Sequence, residues 1–199
     1  MDSDRKTALI VGILFIIATA SALLSFLGFM SIYDANYLTL VAANEVPMII
    51  GALLFLTLAA SAVGITIAMF PILKKYNESL ALGYITARMF EAIFVVFGVI
   101  NLVAILSLSH EFVNAAAPVV SYFETSGALL LEAFAWSGHL LDIPFVLSAL
   151  LLNYMLYKAK LVPKWLSLWG FIGAVVYIVY IFSLLFMPCL LYTSPSPRD

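Results

Sequence analysis

Five long apolar stretches constrain this chain more than any other feature. They cover residues 8–30, 46–71, 80–108, 128–156 and 165–187, and the Lys and Arg of the connections fall only on alternate ones. Each stretch meets or exceeds the roughly 20 residues that an α-helix needs to cross about 30 Å of hydrocarbon. In hydrocarbon every backbone polar group must be satisfied within its own segment, which helices achieve. The expected fold class is therefore all-α: a polytopic transmembrane helical bundle, five spans in a single integral membrane domain over residues 1–188.

Composition agrees with this. Hydrophobic residues make up 65% of the 199 positions and charged residues 10%, with a mean hydropathy of +1.14. A soluble domain of this length needs more polar surface than that. The net charge of −2 and the lack of a basic stripe give no footing for nucleic acid. The expected partner is the lipid bilayer, with a helix–helix partner or homo-oligomer as a further possibility.

The two ends need separate treatment. Arg5 and Lys6 precede the first apolar run, and Ala18-Thr19-Ala20 resembles a signal-peptidase site. The run continues unbroken to Met30, past a usual signal core, so it reads as a retained first helix. At the other end, Cys189-Leu-Leu-Tyr-Thr-Ser-Pro-Ser-Pro-Arg-Asp199 matches, residue for residue, the translation of a transposase-type sequencing adapter. The expectation is that 189–199 is a non-native tail and that the native C-terminus lies beyond about Pro188. Cys189 then supplies no native thiol chemistry.

Orientation follows from the connections. Arg5 and Lys6, Lys74 and Lys75, and Lys158, Lys160 and Lys164 fall on one side, whereas the connections 31–45 and 109–127 carry only acids, Asp34, Glu45, Glu111 and Glu124. Basic residues near span ends resist translocation, so the N-terminus is expected in the cytoplasm. Pro71 and the polar run after it end the second span, and Ser79 caps the third. Trp165 and Trp169 suit the headgroup layer on the basic side, and Tyr33 and Tyr37 suit it on the other. Pro118 falls in the outer connection, in a short interfacial segment. Asn77-Glu78-Ser79 is a glycosylation sequon on the cytoplasmic side and is discounted. Ala60, Gly64 and Ala68, and Gly170 and Ala174, recur at every fourth position, rows that let helices approach closely in lipid.

Charges within the spans are costly and need a partner or a purpose. Arg88 and Glu91 are three residues apart and share one face of the third span. On the fourth span, Glu132, His139, Asp142 and Asn153 fall within an arc of roughly 80°, one polar stripe. Pro144, two residues past Asp142, removes a backbone hydrogen bond and kinks the helix. Counted from the cytoplasmic ends, Glu91 lies roughly 16 Å deep and Asp142 roughly 21 Å, so the third and fourth spans are expected to bring Arg88, Glu91 and Asp142 together. The candidate binding residues are Arg88, Glu91, His139 and Asp142. Two readings stand side by side: a self-neutralised pair that pins helix packing, or a centre that handles protons or a solute. No His-x-x-x-His or Glu-x-x-His spacing, phosphate loop or Gly-x-Ser-x-Gly elbow occurs, so no catalytic residue, metal site or cofactor is expected.

Four further segments are informative together. Pro71-Ile-Leu-Lys-Lys-Tyr-Asn-Glu-Ser-Leu-Ala-Leu-Gly-Tyr84, Arg88-Met-Phe-Glu91, Ala42-Ala43-Asn44-Glu45 and Leu161-Val-Pro-Lys-Trp-Leu-Ser-Leu-Trp-Gly170 resemble, in order and spacing, Domain of Unknown Function family 4386. The resemblance extends from about Lys6 to Met187. It implies a bacterial integral membrane protein, commonly six-helical, so five spans and an adapter-like tail fit the loss of a sixth helix. It implies no activity. The functional expectation is thus a multi-pass protein of the bacterial inner membrane that handles a small solute or protons through its intramembrane polar cluster. The alternative is a non-catalytic scaffold or regulatory partner that recruits another protein through exposed small-residue rows such as Gly170 and Ala174.

Overall fold

The computed structural model describes residues 3–116 and 119–192. Its helices are α1 (Ser3–Gly28), α2 (Tyr37–Ala43), α3 (Glu45–Leu73), α4 (Glu78–Val113), α5 (Val120–Ala159) and α6 (Lys164–Tyr192), with a 3-10 turn at Met30–Tyr33. No strand occurs among the described residues. Pro118 and residues 193–199 lie outside them; the remainder of the 189–199 segment, up to Tyr192, belongs to α6.

Five of these helices are long and apolar enough to cross a membrane: Arg5–Gly28, Glu45–Leu73, Glu78–Val113, Val120–Ala159 and Lys164–Leu184. Large apolar side chains face outward along them, Ile16 at 71% and Val176 at 64% exposure among them. A surface of this kind is stable only where hydrocarbon replaces water. Trp165 and Trp169 are also exposed, at the start of α6 beside the basic connection.

The helix ends correct several expectations. Pro71 does not end the second span: α3 passes through it and stops at Leu73. Asn77, rather than Ser79, caps α4, its Oδ1 accepting from the Leu80 amide at 2.9 Å. Asn and Ser are comparable caps, and the one placed just before the first turn wins. At the acidic end of the bundle, α4 runs well past 108 and α5 starts well before 128. Hydropathy falls there, but the helices remain packed on each other, with the Phe112 and Phe123 rings 6.4 Å apart. Pro144 lies within α5, which continues on both sides of it.

Each long helix packs mainly on its neighbours in sequence: α1 on α3, α3 on α4, α4 on α5, α5 on α6. The short connections leave antiparallel hairpins as the accessible arrangement. Successive crossings gather Arg5, Lys6, Lys74, Lys75, Lys158, Lys160 and Lys164 at one end. Several of these cations lie over aromatic rings there: Lys74 over Phe70, Lys158 over Tyr154 and Lys164 over Tyr157, at 5.5–5.8 Å. Such contacts shield a stem from lipid while the ammonium reaches the interface.

Three apolar clusters fill the interior. One, toward the acidic connections, joins Phe29, Ile32, Val41, Met48, Leu102 and Ile105; one, toward the basic connections, joins Ile65, Leu73, Tyr84, Leu152 and Met155; the third joins Val146 of α5 to Ala174 and Ile181 of α6. The connection 31–45 is therefore no plain loop. Leu38 and Val41 of α2 are buried, and α2 packs on α4 as a cap over the cluster around Phe29 and Leu102. Tyr37 places its buried hydroxyl, without a hydrogen-bond partner, against Gly127. Burial pushes that hydroxyl's pKa up from its ordinary value, and the nearby Glu124 carboxylate adds to the rise.

The small-residue rows are used differently from expectation. Gly170 sits against the Asn153 carboxamide, and Ala174 is buried with Val146 and Ile181. That row joins α6 to α5 within the chain, Ala174 buried and Gly170 half-buried. In the other row Ala60 is exposed, and Gly64 meets the Leu14 side chain. Among the glycines, Gly28 of α1 and Gly51 of α3 are the ones set against another helix's backbone. A Cβ built on Gly28 would lie 2.5 Å from the Gly51 Cα and 2.7 Å from the Pro47 carbonyl oxygen.

Candidate functional site

The charges within the spans fall into two groups on either side of one aromatic ring. In the first, Nη1 of Arg88 donates to both Glu91 carboxylate oxygens, at 3.0 and 2.8 Å. Spacing by three residues on α4 makes this pairing local, and both side chains are buried, at 9% and 5% exposure. The pair neutralises itself, the condition under which charges persist away from water. Two rings contact the guanidinium, Tyr84 at 5.8 Å and Phe145 at 5.4 Å.

Arg88 is nonetheless incompletely satisfied. Its guanidinium has five N–H donors, and its hydrogen bonds run from Nη1 alone; Nε is buried with no partner. The Tyr84 hydroxyl is also buried without one. Arg88 and Glu91 form the charged wall of a cavity of about 330 Å³ between α1, α3, α4 and α5. The rest of its lining is apolar or small, including Ala18, Ala22, Leu58 and Ala62. Four lining residues are exposed, Phe15, Thr19 and Leu23 on α1 and Phe145 on α5. They mark a mouth on the side where α1 and α5, which make no substantial contact, face the hydrocarbon.

In the second group Asp142 accepts a hydrogen bond from the Tyr177 hydroxyl of α6 at 2.8 Å. Asp142 comes near the Arg88–Glu91 pair, as the span depths suggest, without bonding to it. Among the described residues no ion pair or hydrogen bond links them. The polar stripe of α5 turns toward α6: Asp142 meets Tyr177, and Asn153, three turns on, meets Gly170. The two groups remain coupled. The Phe145 ring contacts Arg88 on α4 and packs edge-on against Tyr177 at 5.9 Å, and Asp142 lies close enough to act electrostatically on Glu91.

His139 stands one turn before Asp142, close enough to act on its carboxylate, with its ring edge-on to Trp136 at 5.8 Å. Glu132 is exposed. The residues that sequence reasoning missed are Tyr177, Tyr84 and Phe145. A tyrosine midway along an apolar span, which needs a hydroxyl partner away from water, was the available signal for Tyr177. At the acidic end of the bundle, Glu45 and His110 approach to 3.5 Å, the start of α3 beside the end of α4.

Five apolar crossings around a buried ion pair define a multi-pass helical membrane protein. A profile of the family described as Domain of unknown function (DUF4386) matches residues 10–196, and the chain belongs to that family. The matched stretch takes in part of the tail that begins at Cys189. No curated protein and no solved structure matches the chain.

Proposed function

We propose that this protein handles a small solute or protons within the bilayer of a bacterial inner membrane, its N-terminus in the cytoplasm. The carrying observation is that the Arg88–Glu91 pair opens onto a partly open cavity at mid-span, with guanidinium donors left over. A pair that served packing alone would be sheathed by side chains on every side. In this reading Arg88 orients the solute and Glu91 holds Arg88 in place. Asp142, steadied by Tyr177 and flanked by His139, serves as the proton-accepting group.

Reconstitution into liposomes with an internal pH dye provides the test. The intact protein is expected to dissipate an imposed pH gradient faster than empty liposomes do. Asp142→Asn, which keeps an acceptor for Tyr177, and Arg88→Lys, which keeps the charge but loses the planar fork, are each expected to slow it about tenfold at equal incorporation. Equal rates for wild type and both variants would remove the proposal.

The scaffold reading has its own support in the apolar groove of about 550 Å³ between α4 and α5, lined by Phe90, Phe94, Leu140 and Leu147. Residues on that groove, rather than Gly170 and Ala174, are the positions from which a partner helix would be recruited.

A further inference from the structure

We propose that the cavity beside Arg88 takes a neutral, membrane-dissolved amphiphile that enters between α1 and α5 and presents a carbonyl oxygen to the guanidinium. This deepens the solute-handling reading above and rests on it. Three features select the ligand class.

The first is size and access. A volume of about 330 Å³ falls at the lower end of the roughly 300–1,000 Å³ typical of small-molecule sites. Its exposed rim of Phe15, Leu23 and Phe145 faces lipid, so a molecule already dissolved in the bilayer enters without crossing a polar barrier. Water-soluble ions and sugars have no such route through this opening.

The second is the donor inventory. One nitrogen of Arg88 is engaged by Glu91, and Tyr84 and Phe145 contact the guanidinium; Nε is sealed by its surroundings without a partner, and the second Nη, which is not sealed and makes no hydrogen bond, is the donor left for the cavity. Buried donors without partners are costly. Besides the ion pair the only polar lining residue is Thr19, which donates its hydroxyl to the Phe15 carbonyl at 2.9 Å and makes no hydrogen bond to Arg88. A ligand oxygen in the cavity supplies the acceptor that the lining does not bring to the guanidinium.

The third is charge. Glu91 already balances Arg88, and Asp142 adds a second acid beyond Phe145. A further anion would add like charge in a medium of low dielectric, and a cation would meet the guanidinium. A neutral oxygen acceptor satisfies the donors without either penalty. The apolar remainder of the ligand fills the space lined by Leu58, Ala62 and Ile65.

The test is photolabelling of the full chain in nanodiscs with a long-chain methyl ketone bearing a diazirine, mapped by mass spectrometry. Labels are expected on cavity residues such as Leu23, Leu58 and Phe145. They should be competed by methyl nonyl ketone, but about tenfold less well by undecane or by ionised decanoate. Ala22→Phe, which fills the cavity and leaves Arg88–Glu91 in place, should reduce labelling to background. Should that variant misfold, the competition series on the unaltered chain still decides.

Labels scattered over the whole lipid-facing surface, or competition by undecane equal to that by the ketone, would overturn the proposal. Stronger competition by decanoate would overturn the neutral head. If ketone selectivity fails while proton flux still depends on Asp142, this ligand class alone falls. Ketone-selective labelling without any such flux would leave the binding site and remove proton handling.

Discussion

Gly28→Leu is expected to detach α1 from α3 and to abolish the stable fold, with Gly28→Ala costing roughly 3 kcal/mol. The atoms that a Cβ at Gly28 would meet, the Gly51 Cα at 2.5 Å and the Pro47 carbonyl oxygen at 2.7 Å, are backbone and cannot turn away. Overpacking of this kind usually costs about 1–3 kcal/mol, and here relief requires separating two helices that pack along their length. Gly51→Ala should act similarly, since its Cβ would lie 3.0 Å from the Gly28 Cα. The control is Gly138→Ala, where nothing lies within 4 Å. There the change should be neutral or stabilising by about 0.5–1 kcal/mol. Unfolding by titration with a denaturing detergent, followed by helix content, distinguishes these outcomes. A wild-type midpoint for Gly28→Ala would mean that the α1–α3 contact is wrongly described.

Glu91→Gln carries the second large effect, a destabilisation of about 3–5 kcal/mol. The Arg88 side chain is 9% exposed and Glu91 supplies its only hydrogen-bond acceptors, so the variant strands a cation among apolar side chains. Removing both charges, as in Arg88→Met with Glu91→Leu, should recover most of that loss, because the stranded charge is gone. The pairwise coupling read from the four-member cycle should exceed about 1 kcal/mol. Additive single effects would show that Arg88 and Glu91 do not depend on each other.

Taken together, these two regions explain what could be read from the amino acids and what could not. The spans were legible because hydropathy over 20 or so residues is a summed property, insensitive to any one neighbour. The pairing of Arg88 with Glu91 was legible for the opposite reason: it is settled within a single turn of α4. Asp142 was harder. Its place on a helix face follows from the period of 3.6, but which helix that face meets depends on how α5 is rotated between α4 and α6. Nothing local to Asp142 names Tyr177, 35 residues away.

Gly28 and Gly51 escaped notice because their meeting is a property of two helices, and neither belongs to a row of small residues at fourfold spacing. The helix α2 escaped because seven residues give too little periodicity for a helical signal. Leu38 and Val41 gain their burial only from the packing of α2 against α4.

The central claim is that five crossings carry the basic connections to one face of the bilayer and the acidic ones to the other. Single cysteines in a Cys189→Ser background, at Asn36→Cys, Lys75→Cys, Ala115→Cys and Lys160→Cys, test it with a membrane-impermeant maleimide on intact cells. Asn36→Cys and Ala115→Cys should label at once, and Lys75→Cys and Lys160→Cys only after the cells are opened. Labelling of Lys75→Cys or Lys160→Cys in intact cells at the rate seen for Asn36→Cys would contradict the account.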